Sequence, residues 1–191
     1  MNKERGSGKI VLIVIVALLA IIFIGGITTY NGMVNASEKV DSASADIDTM
    51  LQRRADLIPN LVNSVKGYMD HETEVINSIT ESREKLLNAG TLEEKAAAND
   101  ALTQALSNFN VIVENYPDLK SNTNFIQLQD ELAGTENRIA TARRDYNDAV
   151  RSYNGVIKRI PGRFLAGAFG FDEAAYFEAK EGSEEVPTVE F

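Results

Sequence analysis

The stretch FIQLQDELAGTENRIATARRDYNDAVRSYNGVIKRI, residues 125–160, decides the fold. Phe125, Leu128, Leu132, Thr135, Ile139, Ala142, Tyr146, Ala149, Tyr153, Val156 and Ile160 follow one another at alternating steps of three and four. That period is a helix seam facing another helix. Ser121 is positioned to cap the helix, and Pro161-Gly162 ends it. Within the run the dipeptide Tyr-Asn occurs at 146–147 and again at 153–154, with a third copy at Tyr30-Asn31. Two tyrosines seven residues apart on the ladder read as buried seam residues rather than as a binding site. Each then needs a partner for its hydroxyl. Asn147 and Asn154 flank the seam and are placed to bond across the interface, as are Arg53, Arg54, Arg143 and Arg144.

The same period recurs upstream. Val40, Ser44, Ile47, Leu51, Arg54, Ile58, Leu61, Val65 and Tyr68 form a ladder in which seven of nine rungs are apolar or aromatic. Pro59 and Gly67 interrupt it. Proline in a helix interior removes a hydrogen bond, so ADLIPNLV (residues 55–62) predicts either a kink or a break, the latter with Asp56 capping a new helix. Val75, Ile79, Ser82 and Leu86 mark the next helix, for which Gly90 is the expected left-handed cap. Thr91-Leu92-Glu93-Glu94 is a capping box for a further helix carrying Leu102, Leu106, Phe109, Val113 and Tyr116, stopped by Pro117. The reading is all-α: an antiparallel bundle of three to four long helices.

Ile10 to Ile27 reads IVLIVIVALLAIIFIGGI, eighteen residues without a charge. As a helix it is about 27 Å long, close to the ~30 Å hydrocarbon core of a bilayer. A cleaved signal peptide is the competing reading, with Val34-Asn35-Ala36 as small residues for cleavage. The apolar run is longer than a signal core, and Ala36 lies nine residues beyond its end, which favours a retained anchor. Lys3, Arg5 and Lys9 precede the span, while Glu38 and Asp41 flank the first cation after it, Lys39. The positive-inside rule then puts the N-terminus in the cytoplasm and the remaining domain outside it.

The net charge is −9, and residues 1–9 contribute +2, so the body carries −11. An acidic body does not neutralise phosphates, which argues against nucleic acid and against docking of that body on an anionic membrane surface. With no cysteine there is no disulfide, thiolate nucleophile or zinc-thiolate site. The single histidine, His71, lies in Asp70-His71-Glu72-Thr73-Glu74, and one histidine cannot build the paired Glu-x-x-His units of a dinuclear bundle site. No phosphate loop or nucleophile elbow is present. Glu136 with Arg143, and Asp130 with Glu131, read as solvated charge patterns. The sequence therefore assigns no catalytic, cofactor-binding or metal residue, no cofactor and no small-molecule substrate.

QRRADLIPNLVNSVKGYMDHE (52–72), YPDLKSNTNFIQLQDELAGTENRIATARRDYNDAVRSYN (116–154) and the anchor followed by YNGMV (30–34) resemble the LemA family. The resemblance runs from about Ile10 to Phe177. It implies a bacterial inner-membrane protein with one N-terminal transmembrane helix and an antiparallel helical-bundle domain, and it implies no catalytic activity. The N-terminus is more basic than a bare Met-Gly-aromatic start, and no family motif is found after Glu178. The expected organisation is a basic segment at 1–9, a transmembrane helix at 10–27, the bundle at 28–177 and a disordered acidic tail at 178–191. The Phe164–Phe177 segment, rich in aromatic residues, either closes the end of the bundle or contacts a partner or the membrane surface. The functional expectation is a non-enzymatic, single-pass membrane scaffold or assembly module with a protein partner or copies of itself. The alternative is an extracytoplasmic sensor or regulator of a membrane partner such as a protease or channel. Nine residues before the span leave little room for an output domain, which favours the scaffold.

Overall fold

A computed structural model describes residues 4–69 and 71–177. The expected acidic tail and Asp70 lie outside the described residues. Among the described residues there are six helices: α1 Glu4–Val65, α2 Thr73–Asn88, α3 Leu92–Val113, α4 Pro117–Lys120, α5 Thr123–Lys158 and α6 Gly162–Phe169. Among the described residues there is no strand. The chain is all-α, as its periodicity requires. It divides into two compact units, Met1–Ser42 with Asp148–Ala175 and Ala43–Asn147 with Tyr176–Phe191. Helices α1 and α5 contribute to both.

In the second unit α1, α2, α3 and α5 form an up-down-up-down bundle, and polar contacts between them fix the directions. Asp48 and Arg54 of α1 meet Lys95 and then Asn99 and Thr103 of α3, so those two helices run parallel. Arg53 and Arg54 meet Glu131 and Glu136 of α5, while Met50 and Asp46, earlier in α1, share a cleft with Arg138 and Ala142, so α5 runs antiparallel. The core is built from Ile47, Leu51, Ala55, Ile58, Leu61, Val65, Ile79, Leu102, Phe109, Leu119 and Ile139. Phe109 and Phe125 meet edge to face, with centroids 6.1 Å apart.

Pro59 does not break α1, and Asp56 caps nothing; it accepts a bond from Gln52 inside the helix. Proline cannot donate to the carbonyl four residues back, which is that of Ala55. Arg83 Nε of α2 donates to this carbonyl instead, at 2.8 Å. The neighbouring helix supplies what the proline removes, and the helix continues to Val65. There it turns, so the expected rung Tyr68 points outward and Met69 is buried in its stead.

The capping box at Thr91 forms. Thr91 Oγ1 accepts from Glu94 N–H, and the Glu94 carboxylate accepts from both Thr91 and Gly90 N–H. Gly90 is not the expected left-handed cap; the only positive φ among the described residues is at Gly170. Glu94 already anchors the Gly90 amide, so no left-handed turn is needed. Asn122, rather than Ser121, caps α5, its Oδ1 accepting from Asn124 and Phe125 N–H. Pro117 starts the short helix α4 as its first residue.

In the first unit, Met33, Ala36 and Val40 of α1 carry the seam two turns earlier than the Val40 start read from sequence. On α5 the seam drifts. After Tyr146 the buried residues are Val150, Tyr153, Asn154 and Ile157, not Ala149, Val156 and Ile160. A straight helix falls behind a strict heptad by ~20° every seven residues, so a strict three-four ladder read over five heptads leaves the true face. Ile160 lies past the helix end and is 77 % exposed. Gly162 starts α6 against α5, where an added Cβ would stand 2.2 Å from the Val156 carbonyl oxygen and 3.1 Å from Met33 Cε. Gly170 closes α6 at φ 75°.

Candidate functional site

Two polar constructions stand out from this apolar scaffold. The first, in the second unit, is a charged cluster inside the bundle. Arg54 occupies a seam rung and is 3 % exposed. Its Nη1 donates to Asn99 Oδ1 at 2.5 Å and to Thr103 Oγ1 at 2.9 Å. Glu136 Oε2 lies 2.5 Å from the same nitrogen. The two N–H bonds of Nη1 are already directed elsewhere, so the Glu136 contact is an ion pair without an aligned hydrogen bond. Arg143 stands 3.7 Å from Asp100 and stacks its guanidinium over Phe177, 4.4 Å from the ring centroid. Arg54 Nε and Asn99 Nδ2 are buried without a protein partner.

Burial pulls the Arg54 pKa below its usual value, Glu136 opposes that, and Arg143 adds to it. Guanidinium nevertheless remains charged at any physiological pH. The group is thus poorly suited to proton transfer, and the only histidine, His71, is exposed on the turn after α1. What the cluster does well is fix register. One side chain of α1 is bonded to α3 and paired with α5, so a slip of any of the three helices strands a buried charge. Removing one partner from such a pair costs about 3–5 kcal/mol. Sequence reading named Arg54 and Arg143 as able to bond across the interface, but read Glu136 with Arg143 as a solvated charge pattern. Glu136 and Arg143 are only partly exposed, and Asn99, fully buried, was missed.

The second construction answers the Tyr-Asn repeat. Tyr146 and Tyr153 are both buried, at 7 % and 6 % exposure. In the first unit, Asn154 exchanges two hydrogen bonds with the backbone of one residue. Its Nδ2 donates to Ala174 O at 2.9 Å, and its Oδ1 accepts from Ala174 N–H at 3.0 Å. The Tyr153 hydroxyl donates to Asp172 O at 2.7 Å. In the second unit Asn147 makes the same two-bond exchange with Phe177, at 3.0 and 2.8 Å. The asparagines therefore do not bond helix to helix as expected; they hold the backbone of the segment after α6. Burial, then the carboxylates of Asp172 and Asp41, raises the Tyr153 pKa, which keeps the hydroxyl protonated and donating.

The Phe164–Phe177 segment accordingly divides. Ala166 and Phe177 are buried, whereas Phe164 and Phe169 are 72 % and 60 % exposed. A cleft of about 520 Å³ opens beside α6, lined by Lys158, Arg163, Phe171, Asp172 and Glu173 among others. Among the described residues no group of three or more His, Asp or Glu side chains is placed to hold a metal ion. The apolar run at the start of α1 is solvent-exposed apart from the partly exposed Gly25 and Gly26, and α1 is the only helix among the described residues long and apolar enough to cross a membrane.

Known proteins are similar to this chain in sequence. Magnetosome protein MamQ 2 of Paramagnetospirillum magneticum is 28 % identical over 206 residues, covering 93 % of this chain and 76 % of that protein. Magnetosome protein MamQ of Magnetospirillum gryphiswaldense is 26 % identical with the same coverage. Protein LemA of Metamycoplasma hominis is 28 % identical over 155 residues, covering 79 % of this chain and 69 % of that protein. The LemA family profile matches residues 43–191, from the first turn of the bundle unit in α1 onward, and this chain belongs to the LemA family.

Proposed function

We propose that this protein is a non-enzymatic, single-pass membrane protein whose helical domain serves as an envelope scaffold or assembly module. The observation that carries the reading is the join within α1. Its exposed apolar run, Ile10 to Ile27, continues without a helix break into Met33, Ala36 and Val40, which are buried against the first unit's own core. An exposed run of that length suits a lipid surrounding, because water-facing helices place apolar residues on one side only. The helix is thus both anchor and structural member, and it holds the domain at a membrane with little freedom to detach. The N-terminus is cytoplasmic and the domain extracytoplasmic, supported by Lys3, Arg5 and Lys9 ahead of the span.

The polar groups serve the fold: the Arg54 cluster sets register and the asparagines hold the segment after α6. Neither pairs an exposed nucleophile with a base. None of the relatives' names states a reaction. Copurification from membranes in mild detergent, with mass measurement of the intact complex, tests the proposal. A stable assembly with a protein partner or further copies is expected; a monomer that turns over a small molecule refutes it. A reporter active only in the cytoplasm, fused to the C-terminus, tests orientation, and strong activity there refutes it.

A further inference from the structure

The body of the chain is acidic, yet residues 155–171 contain Lys158, Arg159 and Arg163 and no aspartate or glutamate. The same stretch holds the most exposed large apolar side chains outside α1's apolar run and Val111: Ile160 at 77 %, Phe164 at 72 % and Phe169 at 60 %. Lys158 is paired with Glu173 at 2.8 Å. Arg159 and Arg163 enter no ion pair among the described residues. Asp172 and Glu173 share the cleft with Arg163 and moderate its field, but neither contacts the guanidinium.

The position of this stretch gives it meaning. The Phe169 ring lies edge-on to Tyr30 with centroids 5.0 Å apart, and Phe171 meets the same ring at 5.8 Å. Tyr30 is three residues past Ile27, the end of the apolar run. That is about 4.5 Å of helix rise, within the roughly 5–8 Å headgroup layer on each side of a bilayer. Packing against Tyr30 therefore sets α6 at the depth where aromatic rings and cations gather at membranes. The buried face of α6, Gly162 and Ala166, closes the end of the first unit's core; Ile160, Phe164 and Phe169 are left outside it.

We propose that α6 is seated in the membrane surface. Ile160, Phe164 and Phe169 enter the headgroup layer of an anionic phospholipid bilayer beside the point where α1 leaves it, and Arg159 and Arg163 meet lipid phosphates. This rests on α1 being an inserted anchor. The acidity of the whole body does not oppose it, since screening confines each charge to neighbours within ~8–10 Å.

The chain has no tryptophan, so single substitutions create unique fluorophores in the full-length protein. Phe164→Trp reports α6, Phe23→Trp reports the anchor, and Ser152→Trp, exposed six residues before the end of α5, reports solvent. Each is reconstituted in phosphatidylcholine–phosphatidylglycerol vesicles containing lipid brominated on the upper acyl chain. The expected result is blue-shifted emission from Phe164→Trp and roughly twofold or more stronger quenching by brominated lipid than for Ser152→Trp. Adding Arg159→Glu and Arg163→Glu should weaken that quenching and leave Phe23→Trp unchanged. If Phe23→Trp is quenched by lipid while Phe164→Trp behaves like Ser152→Trp, the surface seat is wrong and the anchor stands. If Phe164→Trp is shielded from both aqueous acrylamide and brominated lipid, a protein covers the face and the seat is again wrong. If lipid quenches neither Phe23→Trp nor Phe164→Trp, the anchor reading itself fails.

Discussion

Arg83 should be worth more to this protein than its half-exposed position suggests, and the excess should vanish when Pro59 is removed. The Ala55 carbonyl is released by Pro59 and lies in a residue with no solvent exposure. It is satisfied by Arg83 Nε at 2.8 Å. A hydrogen bond from a charged donor contributes about 1.5–3 kcal/mol, and a buried acceptor left bare costs about 1–3 kcal/mol. Arg83→Ala should therefore destabilise the wild type by about 2–3 kcal/mol. In a Pro59→Ala background the new amide at position 59 can donate to the Ala55 carbonyl, and the same substitution should cost no more than about 1 kcal/mol. The coupling between the two sites is then about 1–2 kcal/mol, well above the ~0.5 kcal/mol scatter of independent sites. Urea denaturation of the full chain in detergent, followed by helical circular dichroism across the four members of the cycle, measures it. Equal costs for Arg83→Ala with and without the proline would show that Arg83 does not replace the missing helix bond, and the account of how α1 passes Pro59 would fall.

Four further outcomes follow from the polar contacts. Tyr153→Ala should cost about 3–5 kcal/mol through a cavity, and Tyr153→Phe about 1 kcal/mol through its bond to Asp172, with Asp148→Ala on the exposed face staying within ~0.5 kcal/mol; the same denaturation assay resolves all three. Because the folded-state pKa of Tyr153 is raised, its contribution is complete below the unfolded value of ~10 and is lost as pH rises through the folded value, so Tyr153→Phe should flatten the alkaline limb of the stability–pH curve. Backbone bonds from Thr91 and then Gly90 lower the Glu94 pKa, so its contribution is present above the unfolded value of ~4.3 and fades as pH falls; Glu94→Gln should flatten the acid limb. Asn154→Ala should speed hydrogen exchange at the Ala174 amide, and Asn147→Ala at the Phe177 amide, by roughly fivefold or more, since each bond contributes about 1 kcal/mol; unchanged exchange would refute the clamp.

What could be read from the chain, and what could not, separates along a physical line. Local signals were legible because their partners lie within a turn or two. The Thr91–Glu94 box, the apolar run before Ile27 and the seams through Ile47, Leu51 and Ile58 each carry their whole explanation in a few neighbouring residues. Features completed by a distant residue were not. Pro59 reads as a break until Arg83, 24 positions away, is placed on its carbonyl. Gly90 reads as a left-handed cap until Glu94 takes its amide. Asn147 and Asn154 read as cross-helix bonders, since no local pattern tells an amide aimed at a helix from one aimed at an extended backbone. Arg54 gave the one usable hint, a cation on an apolar rung, which must either leave the seam or find buried partners. It found Asn99 and Thr103 by hydrogen bond and Glu136 by charge. The seam alone fixes which faces meet, but a stripe of leucine, isoleucine and alanine tolerates a slip of one heptad with little loss. The charged cluster on α1, α3 and α5 and the two asparagines on α5 tolerate none. That is a sufficient reason for buried polar residues to be there.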